Sequence, residues 1–176
     1  MPQPNLRDPL QLFAFGFGSG LLPKAPGTAG SFAALFFFPL LLQIPLWAYA
    51  LVIVVAVIAG GFICGHAAEK LGVHDDGRIV WDEFVGQWIA LLPLPIWWQY
   101  GMPSHLFGYI FWVALSFALF RFFDVIKPWP ISWLDEKIDG GFGIMVDDLV
   151  AGVFAALLLL FALSLTVFFK TPTLLS

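Results

Sequence analysis

Five carboxylates stand out by type and spacing. Asp82 and Glu83 are adjacent, Asp147 and Asp148 are adjacent, and Asp124 closes a long apolar run between the two pairs. Like-charged carboxylates gathered in a partly dehydrated place repel one another, so they take up protons or bind a cation. Hard oxygen ligands suit Mg2+, Ca2+ or Mn2+, and no His/Cys cluster competes for zinc. Capping is the alternative for any single member of Asp82, Glu83, Asp147 and Asp148, because an acid at a helix start satisfies backbone N–H groups and the dipole. Capping explains only one member of each adjacent pair. Asp124 falls at a helix end where the dipole disfavours an anion, so it needs a cation: a metal, Arg121 or Lys127.

A phosphate-sized pocket is suggested by residues 20–31, "GLLPKAPGTAGS", which carry Lys24, Thr28 and Ser31 with Gly27 and Gly30. Glycines let backbone N–H groups approach an anion, and a helix start adds a favourable dipole. The order of residues is not that of a P-loop. A glycine-rich turn leading into a helix, with Thr28 or Ser31 as its cap, explains the stretch equally well. Arg121, Asp124 and Lys127 recur every three residues and could present two cations and a carboxylate to the same pocket, or form a solvated ion-pair row.

The elements that must position these groups are apolar. Of the 176 residues, 60% are hydrophobic and 11% charged, with a mean hydropathy of +0.90. Soluble domains usually carry about a quarter charged residues, so this composition is that of an integral membrane protein. The length allows one membrane-embedded domain over residues 1–176. The net charge of −4 argues against a nucleic-acid partner. Residues 1–9 lack a basic n-region, so no cleavable leader is expected. The one cysteine, Cys64, excludes an internal disulfide and reads as a buried, inert thiol.

No charged residue lies between Lys24 and Glu69 or between Glu83 and Arg121, and each interval reads as two helices. Residues 149–169 are also uncharged, about 31 Å as a helix. These runs predict an all-α bundle of about five transmembrane helices near 29–44, 46–65, 83–99, 106–123 and 148–169. Pro93 and Pro95 predict a kinked or partly unwound third span. The apolar, glycine-rich residues 9–22 read as an interfacial or re-entrant segment, or as packing alone.

Five crossings put all twelve acidic residues on one side, with Arg7, Lys24, Lys70, Arg78, Arg121, Lys127 and Lys137; only Lys170 falls opposite. The positive-inside rule makes the first side cytoplasmic. Other constellations fail. Cys64 is not followed by the arginine of a C-x5-R phosphatase loop, no D-x-D-x-[TV] nucleophile motif occurs, and "PSH" at residues 103–105 is incomplete and on the wrong face. His66 and His74, in the loop expected at 66–82, are more readily structural than catalytic.

Three long blocks, "GFGSGLLPKAPGTAGS", "GVHDDGRIVWDEFVGQWIAL" and "FRFFDVIKPWPISWLDEKIDGGFGIMVDDLVAG", closely resemble the phosphatidylglycerophosphatase A family over roughly residues 12–165. The resemblance implies an Mg2+-dependent lipid phosphatase of the bacterial inner membrane, converting phosphatidylglycerol phosphate to phosphatidylglycerol and inorganic phosphate. Its matched polar positions are Lys24, Thr28, Asp82, Glu83, Asp124, Lys127, Asp147 and Asp148.

Together these readings give metal-assisted attack of water on a phosphomonoester of a membrane phospholipid. Asp82, Glu83, Asp124, Asp147 and Asp148 are expected to hold Mg2+. Asp148, Asp147 and Glu83 are the expected catalytic carboxylates, with Asp148 as proton acceptor. Thr28, Lys127, Lys24 and Arg121 are expected to bind the phosphate. Asp135 is expected to lie outside the cluster. A cation-coupled transporter using the same carboxylates is the alternative, distinguished by depth, since transporter sites lie near the bilayer midplane.

Overall fold

The computed structural model describes residues 3–73, 76–99 and 106–170. These residues form an all-α bundle with no strand among them. In chain order the helices are α1 (Pro9–Ala14), α2 (Pro26–Leu35), α3 (Phe38–Leu41), α4 (Leu46–Leu71), α5 (Trp81–Leu91), α6 (Pro93–Gln99), α7 (Leu106–Ile126), α8 (Ile131–Asp135) and α9 (Gly140–Lys170), with a 3-10 turn at Gly16–Leu21. By themselves α4, α7 and, over Gly140–Thr166, α9 are long and apolar enough to cross a membrane. The other two predicted spans are each built in two pieces. The apolar stretch Pro26–Leu41 is α2 and α3, and the proline-bearing third span divides at Leu92 into α5 and α6. Pro93 supplies no N–H to continue the ladder, which accounts for the break.

Two boundaries differ from expectation. Helix α4 continues to Leu71, where Gly72 at φ 67° accepts the left-handed turn and donates back to the Ala68 and Glu69 carbonyls. His66 is therefore helical rather than part of a loop, and its Nε2 lies 3.0 Å from Asp8 Oδ2. Helix α9 begins at Gly140, not near 148. Its glycine-rich first turns are helical because they serve packing: a Cβ on Gly141 would overlap the backbone of Gly61 in α4. Small residues spaced by four let apolar helices approach backbone to backbone, and Gly61 and Gly65 have that spacing.

Helix α5 is the centre of the bundle. It packs against α2, α4, α7 and α9, and nine of its eleven residues are buried. Two indoles and a phenol clamp it in place. Trp81 Nε1 donates to the Ala56 carbonyl (3.1 Å), Trp88 Nε1 donates to the Ala34 carbonyl (3.1 Å), and the Tyr49 hydroxyl donates to the Trp88 carbonyl (2.8 Å). Each such bond satisfies a polar atom that would otherwise be stranded in an apolar surround. The N-terminal segment lies on the start of α5, where Val80 N–H donates to the Ala14 carbonyl at 2.8 Å.

Helices α5 and α9 cross at two glycines. A Cβ on Gly152 would stand 2.5 Å from the Gly86 carbonyl oxygen, and one on Gly86 would stand 2.7 Å from the Asp148 carbonyl oxygen. Only hydrogen side chains permit this approach. The contact lies one helical turn from Asp82 and Glu83 on α5 and one turn from Asp148 on α9.

Candidate active site

The glycine crossing brings the two acid pairs together at one end of the bundle. Asp82, Glu83 and Asp148 each offer a carboxylate oxygen within 4.8 Å of the others, and so do Asp124, Asp147 and Asp148. Asp148 belongs to both groups. It is 2% exposed, and Asp82 and Asp147 are also nearly enclosed. The five carboxylates singled out by sequence are thus assembled from α5, α7 and α9.

Capping does not explain the second pair. Asp147 and Asp148 lie two turns inside α9, beyond its free N–H groups. Asp82 and Glu83 do occupy the first turn of α5, but the cap position is Val80 and no side-chain cap bond is made there. Asp82 Oδ1, Glu83 Oε2, Asp147 Oδ1 and Asp148 Oδ1 are buried without a hydrogen-bond partner among the described residues. A buried carboxylate oxygen lacking a donor is costly. The two groups that share Asp148 are overlapping oxygen donor sets that fit a hard divalent cation.

Cations border the cluster. Arg121 Nη1 pairs with Asp124 Oδ2 at 2.6 Å, one turn along α7, and donates to Ser31 Oγ at 3.2 Å. Ser31 is buried and itself donates to the Gly27 carbonyl at 2.8 Å. Arg121 Nε is buried and has no partner among the described residues. Helix α2 is drawn against the site by this bridge. A Cβ on Gly27 would overlap Glu83 Oε1 and lie 3.4 Å from Arg121 Nη1.

Lys127 ends α7 in an unusual way. Its N–H donates to the Phe123 carbonyl at 2.9 Å while its φ is 43°, the left-handed cap conformation that usually falls to glycine. Its Nζ lies 2.6 Å from Asp147 Oδ2 and 3.0 Å from Asp135 Oδ2. Partial burial disfavours the ammonium, but the hydrogen bonds to Asp147 and Asp135 outweigh it and hold the lysine pKa above its ordinary value. Asp135, expected outside the cluster, is therefore joined to it, because α8 folds back beside α9 and turns its last residue toward Lys127.

The remaining expected site residues divide. Thr28 is half-buried in the first turn of α2, one residue from Gly27, and its hydroxyl has no protein partner among the described residues. Lys24 is fully on the surface, in an exposed run at residues 22–25, and makes no ion pair among the described residues. Cys64 is buried against Met145 Sδ at 3.8 Å, as an inert thiol would be. His74, the turn at 100–105 and the residues after 170 lie outside the described residues. Sequence reasoning does not single out Asp135 as a partner of Lys127, nor Gly86 and Gly152 as the crossing. A signal for the crossing exists: glycine follows both Asp82 and Asp148 by four positions, one turn of helix.

Comparison with known proteins agrees with the sequence resemblance. The chain is 46% identical over 158 residues to phosphatidylglycerophosphatase A of Escherichia coli (strain K12), covering 89% of this chain and 85% of that protein. It is 41% identical over 155 residues to phosphatidylglycerophosphatase A of Haemophilus influenzae, covering 87% and 88%. No solved structure matches the chain. The family model for phosphatidylglycerophosphatase A matches residues 12–163, a range that contains every carboxylate and cation of the site. On these grounds the chain belongs to the phosphatidylglycerophosphatase A family.

Proposed function

We propose that this protein is an Mg2+-dependent lipid phosphatase of the bacterial inner membrane. It hydrolyses phosphatidylglycerol phosphate to phosphatidylglycerol and inorganic phosphate at the cytoplasmic face. The observation that carries the reading is the pair of carboxylate groups sharing Asp148, with four buried oxygens that have no hydrogen-bond partner among the described residues, beside Arg121 and Lys127. The names of the two relatives supply the substrate class. The concentration of lysines and arginines on one side of the expected membrane spans supports the cytoplasmic orientation.

In this reading Asp82, Glu83, Asp124, Asp147 and Asp148 hold the metal, which supplies neutralisation of phosphate oxygens and a lowered pKa for water. Arg121, whose Nε has no protein acceptor among the described residues, presents its guanidinium edge to a phosphate oxygen. The Thr28 hydroxyl donates to another, from the first turn of α2. Lys127 holds Asp147 in place and adds positive charge at the rim. Asp148 pairs with no lysine or arginine among the described residues and is the carboxylate common to both acid groups, so it is the group assigned to take the proton of the attacking water. As the water oxygen bonds to phosphorus, the bond from phosphorus to the glycerol oxygen breaks, and that oxygen leaves as an alcohol, taking up the proton that Asp148 received from the water. Lys24, exposed and outside this arrangement, would meet the headgroup only at the surface.

The test is phosphate release from phosphatidylglycerol phosphate by purified protein in detergent. Release with Mg2+ that stops on chelation and returns on Mg2+ addition is expected. Undiminished release in chelator would overturn the metal-dependent reading, and no release under any condition would overturn the phosphatase reading.

A further inference from the structure

The polar site accounts for a phosphate but not for the apolar part of a lipid. Beside it, between α4 and α5, lies a cavity of about 530 Å³ whose lining side chains are all apolar. Leu51, Val55, Ala59 and Ile63 recur every four residues along it, so it is a slot parallel to α4. From Leu51 to Ile63 it extends about 18 Å along the helix axis. Leu51 and Val55 are 54% and 56% exposed on a membrane-crossing helix, so the slot opens sideways onto the hydrocarbon.

Its inner wall is Trp81 and Trp88, with Phe13 of α1 set edge-on to Trp81 at 5.5 Å between ring centroids. The Trp81 indole N–H is already bonded to the Ala56 carbonyl, so the ring turns no free donor into the slot. Concavity comes from Ala56 and Ala59, small side chains where α4 carries larger ones elsewhere. The inner end reaches the start of α5, next in the chain to the polar site. Trp81 is the peptide neighbour of Asp82, and Cys64, next to Ile63, lies against the Asp82 backbone.

We propose that this slot seats one acyl chain of the phosphomonoester lipid substrate, an inference that rests on the phosphatase reading above. The occupant follows from continuity. A lipid whose phosphate is held at the polar site keeps its hydrocarbon in the bilayer, and the slot, which includes Trp81 beside Asp82 and opens on the membrane side of α4, is the apolar groove nearest in the chain to that site. Seating one chain there fixes the headgroup at the depth of the carboxylates and leaves the second chain in the bilayer.

The experiment uses the full chain in phospholipid nanodiscs with two photoreactive lipids bearing the same acyl-chain label. One is phosphatidylglycerol phosphate and the other is phosphatidylcholine. Cross-linking to residues 51–63 is expected to be at least about tenfold greater for the first, a preference equivalent to roughly two buried methylenes. Equal labelling by both lipids would mean ordinary boundary lipid and overturn the proposal. Phosphate release, measured on the same samples, reports the enzymatic reading separately: labelling enrichment without release defeats the activity and leaves the slot standing. Ala59→Trp fills the slot. It should lower kcat/KM for the two-chain substrate about tenfold while leaving hydrolysis of the chain-free headgroup phosphate unchanged. An equal fall for both substrates, or a fall for neither, would refute the proposal.

Discussion

Gly27 offers the sharpest separation of activity from folding. It sits in the first turn of α2, in helical backbone, so glycine is not required there by φ. In an exposed helix the change to alanine is favourable by up to about 1 kcal/mol. Here the added Cβ would overlap Glu83 Oε1 and approach its Cδ to 3.2 Å, while Arg121 Nη1 stays at an ordinary 3.4 Å. The Glu83 carboxylate is the far end of a flexible side chain, so it yields rather than the backbone, moving by about 1 Å. A misplacement of that size in a catalytic constellation costs on the order of a hundredfold in rate. Gly27→Ala should therefore lower kcat for phosphate release by about two orders of magnitude, with a thermal midpoint in detergent equal to or above that of the parent protein. Gly65→Ala is the matched control, because its Cβ would meet the Gly141 Cα at an ordinary 3.5 Å. If Gly27→Ala stayed within threefold of the parent rate, Glu83 would not need the position it occupies, and its assignment to the site would fall.

Asp147→Asn and Asp148→Asn should each lower phosphate release at least about a hundredfold without loss of helicity by circular dichroism, since neither caps α9; near-normal turnover in both would remove the pair from the chemistry. Lys127→Gly frees a left-handed residue of about 1 kcal/mol of strain yet removes the ammonium beside Asp147, so thermal stability should hold while activity falls more than tenfold. Asp135→Asn breaks only the more exposed contact of Lys127 and should cost less than about fivefold, read in the same release assay. Asp76 is held below the usual carboxylate range by its hydrogen bonds from Arg78, so its stabilising effect is present above the ordinary aspartate value and is lost as pH falls through the lowered one. Asp76→Asn should accordingly flatten the acid side of a plot of thermal midpoint against pH, and an unchanged slope there would contradict the pairing.

The sequence carried much of this design on its surface. Charge-free intervals marked the apolar helices, Pro93 marked the break of the third span, and the five carboxylates were recognisable from pairing and position alone. What it hid were distances between segments far apart in the chain. Asp147 and Asp148 looked like the start of a helix because "GGFG" reads as a loop by propensity. In the bundle those glycines are helical, since close approach to α4 outweighs their intrinsic cost. The meeting of Arg121 with Ser31, ninety positions apart, depends on how α2 leans on α7, and local pattern holds no record of that. Lys24 stands four positions before Thr28 in the sequence, and the fold leaves it exposed.

The glycine contact between α5 and α9 has a mechanical consequence. It acts as a fulcrum, and the carboxylates sit on a lever arm of only one turn, about 5.4 Å. Rocking the two helices by 10° about that point moves Asp82 or Asp148 by only about 1 Å, whereas the far end of α9, several turns away, sweeps a much wider arc. Membrane helices change tilt as bilayers thicken or thin. A site mounted so near its pivot keeps its dimensions through such adjustments, so its geometry is insulated from changes in bilayer thickness.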